Sequence, residues 1–323
     1  MIKVAIIGYG NLGRGVERSI KQNKDMELVG IFTRRSPETV QTEGGAAFTM
    51  EELLPKQNEI DVAILCGGSA TDLPTQTPEW TRLFNTIDSF DTHAKIPEHF
   101  AKVDQVAKEN QTTSIISTGW DPGLFSLNRL YAQSILPVGE TTTFWGKGVS
   151  QGHSDALRRI AGVVDAVQYT IPNSDIIEKL KAGEKLTLTT RDKHFRQCFV
   201  VLDETADAEK IRAEIVSMPN YFADYDTEVH FITQDELNDN HKAMPHGGTV
   251  LHTGTTHENT QQVIEYNLQL ESNPEFTASV LVAYARACVR LAKEKQFGAY
   301  TVLDIAPKYL SDRSDEELRK ELL

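Results

Sequence analysis

The sequence predicts an α/β protein in which a doubly wound parallel sheet comes first, an α+β domain follows, and the chain then returns to the sheet. Three observations carry this prediction. Hydrophobic runs of strand length alternate with helical segments through the first third of the chain. A glycine-rich turn joins the first run to the first helical segment. Past residue 140 the texture changes to short β-rich segments with helices between them.

The 323 residues suffice for about two domains. With 40% hydrophobic and 24% charged residues, the composition is that of a globular chain with a real core. No apolar run approaches the roughly 18 residues of a membrane span. The first strand begins within three residues of the start, leaving no room for a signal peptide. Cys66, Cys198 and Cys288 are too scattered for a disulfide framework or a zinc knuckle, so a reducing cytoplasm is expected. A net charge of -13 argues against general affinity for nucleic acid or an anionic membrane. No internal repeat is visible.

"KVAIIG" reads as a buried strand and residues 9–23 as a helix. Between them Gly8, Gly10 and Gly13 form G-x-G-x-x-G, the turn of a Rossmann-type dinucleotide fold. The first glycine allows a tight turn, the second lets a pyrophosphate approach the backbone, and the third lets helix pack on strand. The helix start offers free N–H groups to phosphate. "MELVGIF" is the second strand. At its tip, twenty residues past Gly13, an NAD-binding chain carries an acid for the ribose. Here stand Thr33, Arg34 and Arg35. Arginine offers a planar fork of donors suited to phosphate, each charged contact being worth roughly 1.5–3 kcal/mol. The expected cofactor is therefore NADP.

Further strands are expected at 59–66, 84–91 and 113–119, with helices at 92–110 and from 120 onward. Their carboxyl ends carry small or polar residues, from Ser69 to Asp72, at Asp91, and from Thr118 to Asp121. In a doubly wound sheet the ligand lies beyond those ends. Asp121 also fits a plain cap of the helix after Pro122.

"TTTFWGKGV", "AVQYTI", "KLTLTT", "RQCFVVL" and "TEVHFIT" are expected strands of the second domain. Residues 276–295 return to a helical period, "GAYTVLDIAP" to a strand, and the last helix opens with a capping box of Ser314 and Glu317. The final fifty or so residues are read as folding back on the nucleotide domain. "GHSD" (His153, Ser154, Asp155) forms no hydrolase triad by adjacency, and no G-x-S-x-G elbow exists. His241, His246, His252 and His257 lack a metal-ligand spacing, so no metal is expected. His246, in the turn-rich "MPHGG", reads as a donor at a pocket rim.

Taken together, "GYGNLGRGVE", "GIFTRRSP", "CGGSATDLP", "STGWDPGLFSLNRLY", "FWGKGVSQGHSDALRRI", "AVQYTIP", "RQCFVV", "MPHGGTV" and "ESNPEFTAS" resemble the meso-diaminopimelate dehydrogenase family over nearly the whole chain. The resemblance implies NADP-dependent oxidative deamination of meso-2,6-diaminopimelate at its D-centre, within lysine and diaminopimelate biosynthesis. It implies a dinucleotide-binding domain at 1–118 plus 275–323, a substrate-binding and dimerisation domain at 119–274, and a homodimer.

By the same resemblance, cofactor contacts come from Gly8, Tyr9, Gly10, Asn11, Leu12 and Gly13, and from Thr33, Arg34 and Arg35. Ser69, Ala70, Thr71 and Asp72 follow. Ser89, Phe90, Asp91, Thr118, Trp120, Asp121 and Pro122 complete that set. Arg196, Thr170, His246 and Asn273 would grip the distal L end of the substrate. At the reacting end Asp91 and Asp121 would hold the ammonium, Trp145 would wall the site, and Gln151 and Gly152 would bind the near carboxylate. No lysine base announces itself. Two other classes fit the scaffold: another NADP reductase, such as dihydrodipicolinate reductase or homoserine dehydrogenase, and a non-catalytic NADP sensor. The long divergent "FWGKGVSQGHSD" region speaks against the first, and a sensor has no need of a paired carboxylate and arginine pocket.

Overall fold

A computed structural model describes residues 1–258 and 260–323. The chain packs as two compact units, Met1–Leu127 with Pro274–Leu323, and Asn128–Asn273.

In the first unit, β1 (Ile2–Ile7) leads through the glycine turn to α1 (Asn11–Gln22) and β2 (Met26–Thr33). β3 (Ala47–Thr49), β4 (Val62–Leu65), α2 (Leu73–Thr81) and β5 (Thr86–Ile87) follow. Then come α3 (Ile96–Asn110), β6 (Thr113–Ile115) and α4 (Leu124–Ile135), the unit boundary falling inside α4. β1 is a continuous apolar run because it lies at the middle of a parallel sheet covered on both faces. Only two residues of 84–91 and three of 113–119 pair as strand. Phe84 and Asn85 precede β5, and the residues after each strand run on as loops, so the expected strands were too long.

The second unit holds β7 (Gly139–Trp145), β8 (Gly148–Val149), α5 (Gln151–Arg158), β9 (Val163–Pro172), α6 (Ser174–Lys181) and α7 (Thr190–Lys193). β10 (His194–Leu202), α8 (Ala208–Ser217), β11 (Asp226–Phe231), α9 (Gln234–Asn240), β12 (His246–His257) and β13 (Thr260–Leu270) complete it. One sheet has the order β11-β10-β9-β8, the other β13-β12-β7. α5 and α8 cover one face of the four-stranded sheet through Leu157, Ile211 and Ile215. α9 covers the other through Leu237.

Two expectations fail here. "KLTLTT" is not a strand: residues 185–189 are irregular, and Thr190 begins α7. Its Leu186 and Leu188 instead pack on Phe144, Leu180 and Leu251. "MPHGG" is not wholly a loop, because His246 is the first residue of β12.

α10 (Asn273–Lys293) and β14 (Gly298–Tyr300) follow, with α11 (Asp315–Leu322) last. β14 pairs parallel with β6, giving the seven-stranded order β14-β6-β5-β4-β1-β2-β3 with every pairing parallel. The strand expected at "GAYTVLDIAP" is limited to those three residues. α10 packs Leu281, Tyr284 and Ala285 into the core formed by Val4, Ile6, Val62 and Ile64. The capping box of Ser314 and Glu317 forms as expected. Among the described residues, no helix is long and apolar enough to cross a membrane.

Candidate active site

The first unit contains a cleft of about 430 Å³ lined by Gly8, Tyr9, Gly10, Asn11, Thr33, Arg34, Arg35 and Asp72. Gly8 has φ +91, and a Cβ there would sit 3.2 Å from the Cys66 carbonyl. A Cβ on Gly13 would strike the Gly8 carbonyl oxygen, so the third glycine is needed for strand and helix to meet. A Cβ on Gly10 would meet nothing within 4 Å, which leaves that stretch of backbone open to a ligand.

Tyr9 is braced from behind. Its hydroxyl donates to Glu17, which is buried and also accepts from the amides of Glu43 (3.1 Å) and Gly45 (2.8 Å). Burial alone would push the Glu17 carboxyl up, but these hydrogen bonds outweigh it and hold the group below its usual range. Burial and the Glu17 bond push the Tyr9 phenol up, so it stays protonated. Arg35 donates to the Tyr9 carbonyl, and its own amide donates to Thr33 Oγ1 at 3.2 Å. Arg34 lies 3.1 Å from Asp72, whose other oxygen accepts from the Gly68 amide at 2.8 Å. Both arginines therefore line the cleft, and this set fits a 2′-phosphorylated dinucleotide.

Leu12 and Gly13 lie behind this surface, Leu12 packing on the core. Arg14, Met50, Cys66, Gly67, Gly68 and Gln76 also line the cleft and were not singled out. "CGG" at the end of β4 was a readable signal for three of them. The turn containing Ser69, Ala70 and Thr71 precedes α2, and Ser69 binds Asp91 both ways: its hydroxyl donates to the carboxylate, and the Asp91 amide donates back at 2.9 Å. This joins the loops after β4 and β5. Ser89 lies in the second of these loops. Phe90 is buried, with its ring stacked on His99 at 4.3 Å. Thr118 and Trp120 are buried in the loop after β6, which continues through Asp121 and Pro122 to α4. Asp91 and Asp121 thus belong to neighbouring loops of one sheet.

In the second unit, the register of β9 and β10 sets Arg196 opposite Thr170. Arg196 is only 6% exposed, donates through Nη1 to Thr170 Oγ1, and lies 3.8 Å from the Tyr225 ring. Its Nε has no partner, and among the described residues no carboxylate pairs with it. Burial pulls its pKa down. Burial and then the Arg196 charge depress His194 to about 3 and His153 to about 4, and His246 is lowered in the same way. One buried guanidinium among neutral imidazoles is a receptor for an anion.

His194 Nε2 accepts from the Trp145 amide at 2.8 Å, and the two rings stack at 5.6 Å. His246 Nδ1 accepts from the Gly247 amide at 2.8 Å, and a Cβ on Gly148 would collide with His246. Gln151 and Gly152 open α5 and are exposed. The Asn273 amide donates to Met244 at 2.9 Å. His153, His194 and Tyr225 were missed, although His194 stands two residues from Arg196 on a strand and so shares its face. In "GHSD", His153 Nδ1 pairs with Ser150 Oγ at 2.8 Å, and Asp155 pairs with Arg158, so no triad forms.

Residues 119–272 match the diaminopimelic acid dehydrogenase C-terminal domain. A meso-diaminopimelate D-dehydrogenase of Lysinibacillus sphaericus is 58% identical over 323 residues, covering 100% of this chain and 99% of the relative. The chain belongs to the diaminopimelate dehydrogenase family. A solved structure of that family, the Corynebacterium glutamicum enzyme in complex with DAP, is 45% identical with a TM-score of 0.92, covering 100% of this chain and 99% of that one. An engineered D-amino acid dehydrogenase bound to NADP+ is 44% identical with a TM-score of 0.87, again over 100% and 99%.

Proposed function

We propose that this dehydrogenase oxidatively and reversibly deaminates meso-2,6-diaminopimelate at its D-centre, yielding L-2-amino-6-oxopimelate (which cyclises to tetrahydrodipicolinate), ammonia and NADPH. The reading is supported by the family and carried by one observation, the buried Arg196 that has no carboxylate of its own. A dicarboxylate substrate supplies the missing charge.

Arg34, Arg35 and Thr33 would take the 2′-phosphate, and the Gly8 to Gly13 turn the pyrophosphate. Bound NADP supplies the hydride acceptor. Arg196, Thr170, His246 and Asn273 hold the distal L end, and Asp91 and Asp121 receive the ammonium of the D end. Gln151 and Gly152 bind the near carboxylate, and Trp145 walls the site. Residues 1–118 with 275–323 serve the dinucleotide, and 119–274 serve the substrate and a homodimer contact. The setting is a cytoplasmic step of lysine and diaminopimelate synthesis.

The two ends of the substrate differ only in hand. Gripping the L end leaves only a D-configured Cα able to present its hydrogen in a reactive placement, which must hold to fractions of an ångström. The test is NADPH formation with meso-diaminopimelate, set beside the L,L isomer, homoserine and no substrate. Turnover is expected with the meso compound alone, the L,L isomer acting as an inhibitor. L,L turnover near the meso rate overturns the two-ended grip; no meso turnover overturns the function.

A further inference from the structure

Asp88 lies at the carboxyl end of β5, fully buried, and has no part in the proposed site. Its carboxylate accepts four hydrogen bonds. Oδ1 takes the amides of Phe90 (3.0 Å) and Ser117 (2.8 Å), which belong to the loops after β5 and β6. Oδ2 takes Thr77 Oγ1 of α2 and His99 Nε2 of α3, both at 2.8 Å. Its carbonyl accepts from the Thr118 amide at 2.9 Å. Ser117 holds φ +53, a conformation uncommon outside glycine, and its amide is the one fixed by Asp88. The His99 ring stacks on Phe90 directly before Asp91. One side chain therefore spans the roots of both loops, three residues before Asp91 and four before Asp121.

A buried carboxylate is stable there only because donors surround it, and removing it orphans two backbone amides at once. The backbone of Asp88 ties the same two segments, its amide donating to the Ile115 carbonyl at 3.2 Å. The glycine turn and Arg34 and Arg35 lie in the loops after β1 and β2, and none of the Asp88 hydrogen bonds reaches them.

We infer that Asp88, braced by His99, is a positioning residue that sets the spacing of the loops bearing Asp91 and Asp121. The inference rests on the reaction proposed above. Asp88→Ala should lower kcat by about a hundredfold, in line with an ångström of misplacement, with calorimetric affinity for 2′,5′-ADP, which carries only the adenosine and its phosphates, kept within about threefold. The primary deuterium isotope effect on kcat, measured with substrate deuterated at the reacting carbon, should rise, because the chemical step becomes slower than product release. Asp88→Asn keeps an acceptor for both amides and should recover most of kcat. If Asp88→Ala does not fold, His99→Phe decides: it keeps the ring on Phe90, and should lower kcat by about tenfold with the same rise in isotope effect. A purely structural role would lower Tm without changing the isotope effect, and that result overturns the inference. So does loss of 2′,5′-ADP affinity in step with kcat. Failure of the wild-type protein to oxidise meso-diaminopimelate would instead remove the proposed function itself.

Discussion

Arg34 and Arg35 do different jobs in the ligand-free protein. Arg35 is tied to the Tyr9 carbonyl and so to the glycine turn, whereas Arg34 is largely exposed and rests on Asp72. A phosphate entering the cleft competes with Asp72 for Arg34. Replacing Arg34 and Arg35 by Asp and Ser should therefore raise the KM for NADP by about a hundredfold or more, from two lost charged hydrogen bonds, and narrow the gap to NAD. Steady-state kinetics with both cofactors measures this, and unchanged NADP kinetics in the folded variant refutes it. Arg196→Met leaves a buried substrate carboxylate without a partner, a loss of about 3–5 kcal/mol that should cost turnover at least two orders of magnitude. Calorimetric NADP affinity should stay within a few-fold; an equal collapse would make Arg196 structural. The arginine pair was legible because its meaning depends only on spacing from Gly13. His194 and Asp88 were not, because each acts through residues that only the register or the loop packing brings near.

At the scale of elements, His194 links β10 to the end of β7 by accepting from the Trp145 amide, which requires an unprotonated Nε2. Its pKa is depressed to about 3 by burial and by Arg196, and that of His153 to about 4. In the unfolded chain both titrate near 6.5. The unfolded state then binds more protons between those values, so their contribution to stability is fully present above pH about 6.5 and is lost as pH falls toward 3. Each group costs about 1.4 kcal/mol per pH unit across that window. Thermal melting from pH 7 to 4 should show this loss, and His194→Gln should flatten the slope; equal slopes would contradict the assignment. The parallel strands near β1 were readable as unbroken apolar runs, since both faces are covered. β12 and β13 form no such run: β12 is broken by Gly247, Gly248 and Gly254, and β13 alternates Ile264, Tyr266, Leu268 and Leu270 with exposed Glu, Asn and Gln. "KLTLTT" alternates like a strand, but its leucines pack from an irregular segment without a strand to pair with.

For the whole molecule, the homodimer reading predicts a light-scattering mass near twice the 36.1 kDa of one chain. Leu130, Tyr131, Ile135 and Val138 are exposed apolar side chains that such an interface would cover, and a mass of one chain would exclude it. The sheet carries a different consequence. Its last strand, β14, and its core helix, α10, are encoded after the entire second unit. During synthesis the first 127 residues emerge lacking the helix that seals one side of their core, and roughly 150 residues must follow before it appears. At about 5–20 residues per second the unfinished sheet waits some 7 to 30 seconds with apolar surface bare. The second unit, continuous in sequence, can fold in that interval. Birth order on the ribosome is therefore the reverse of chain order: the part begun first is the part finished last.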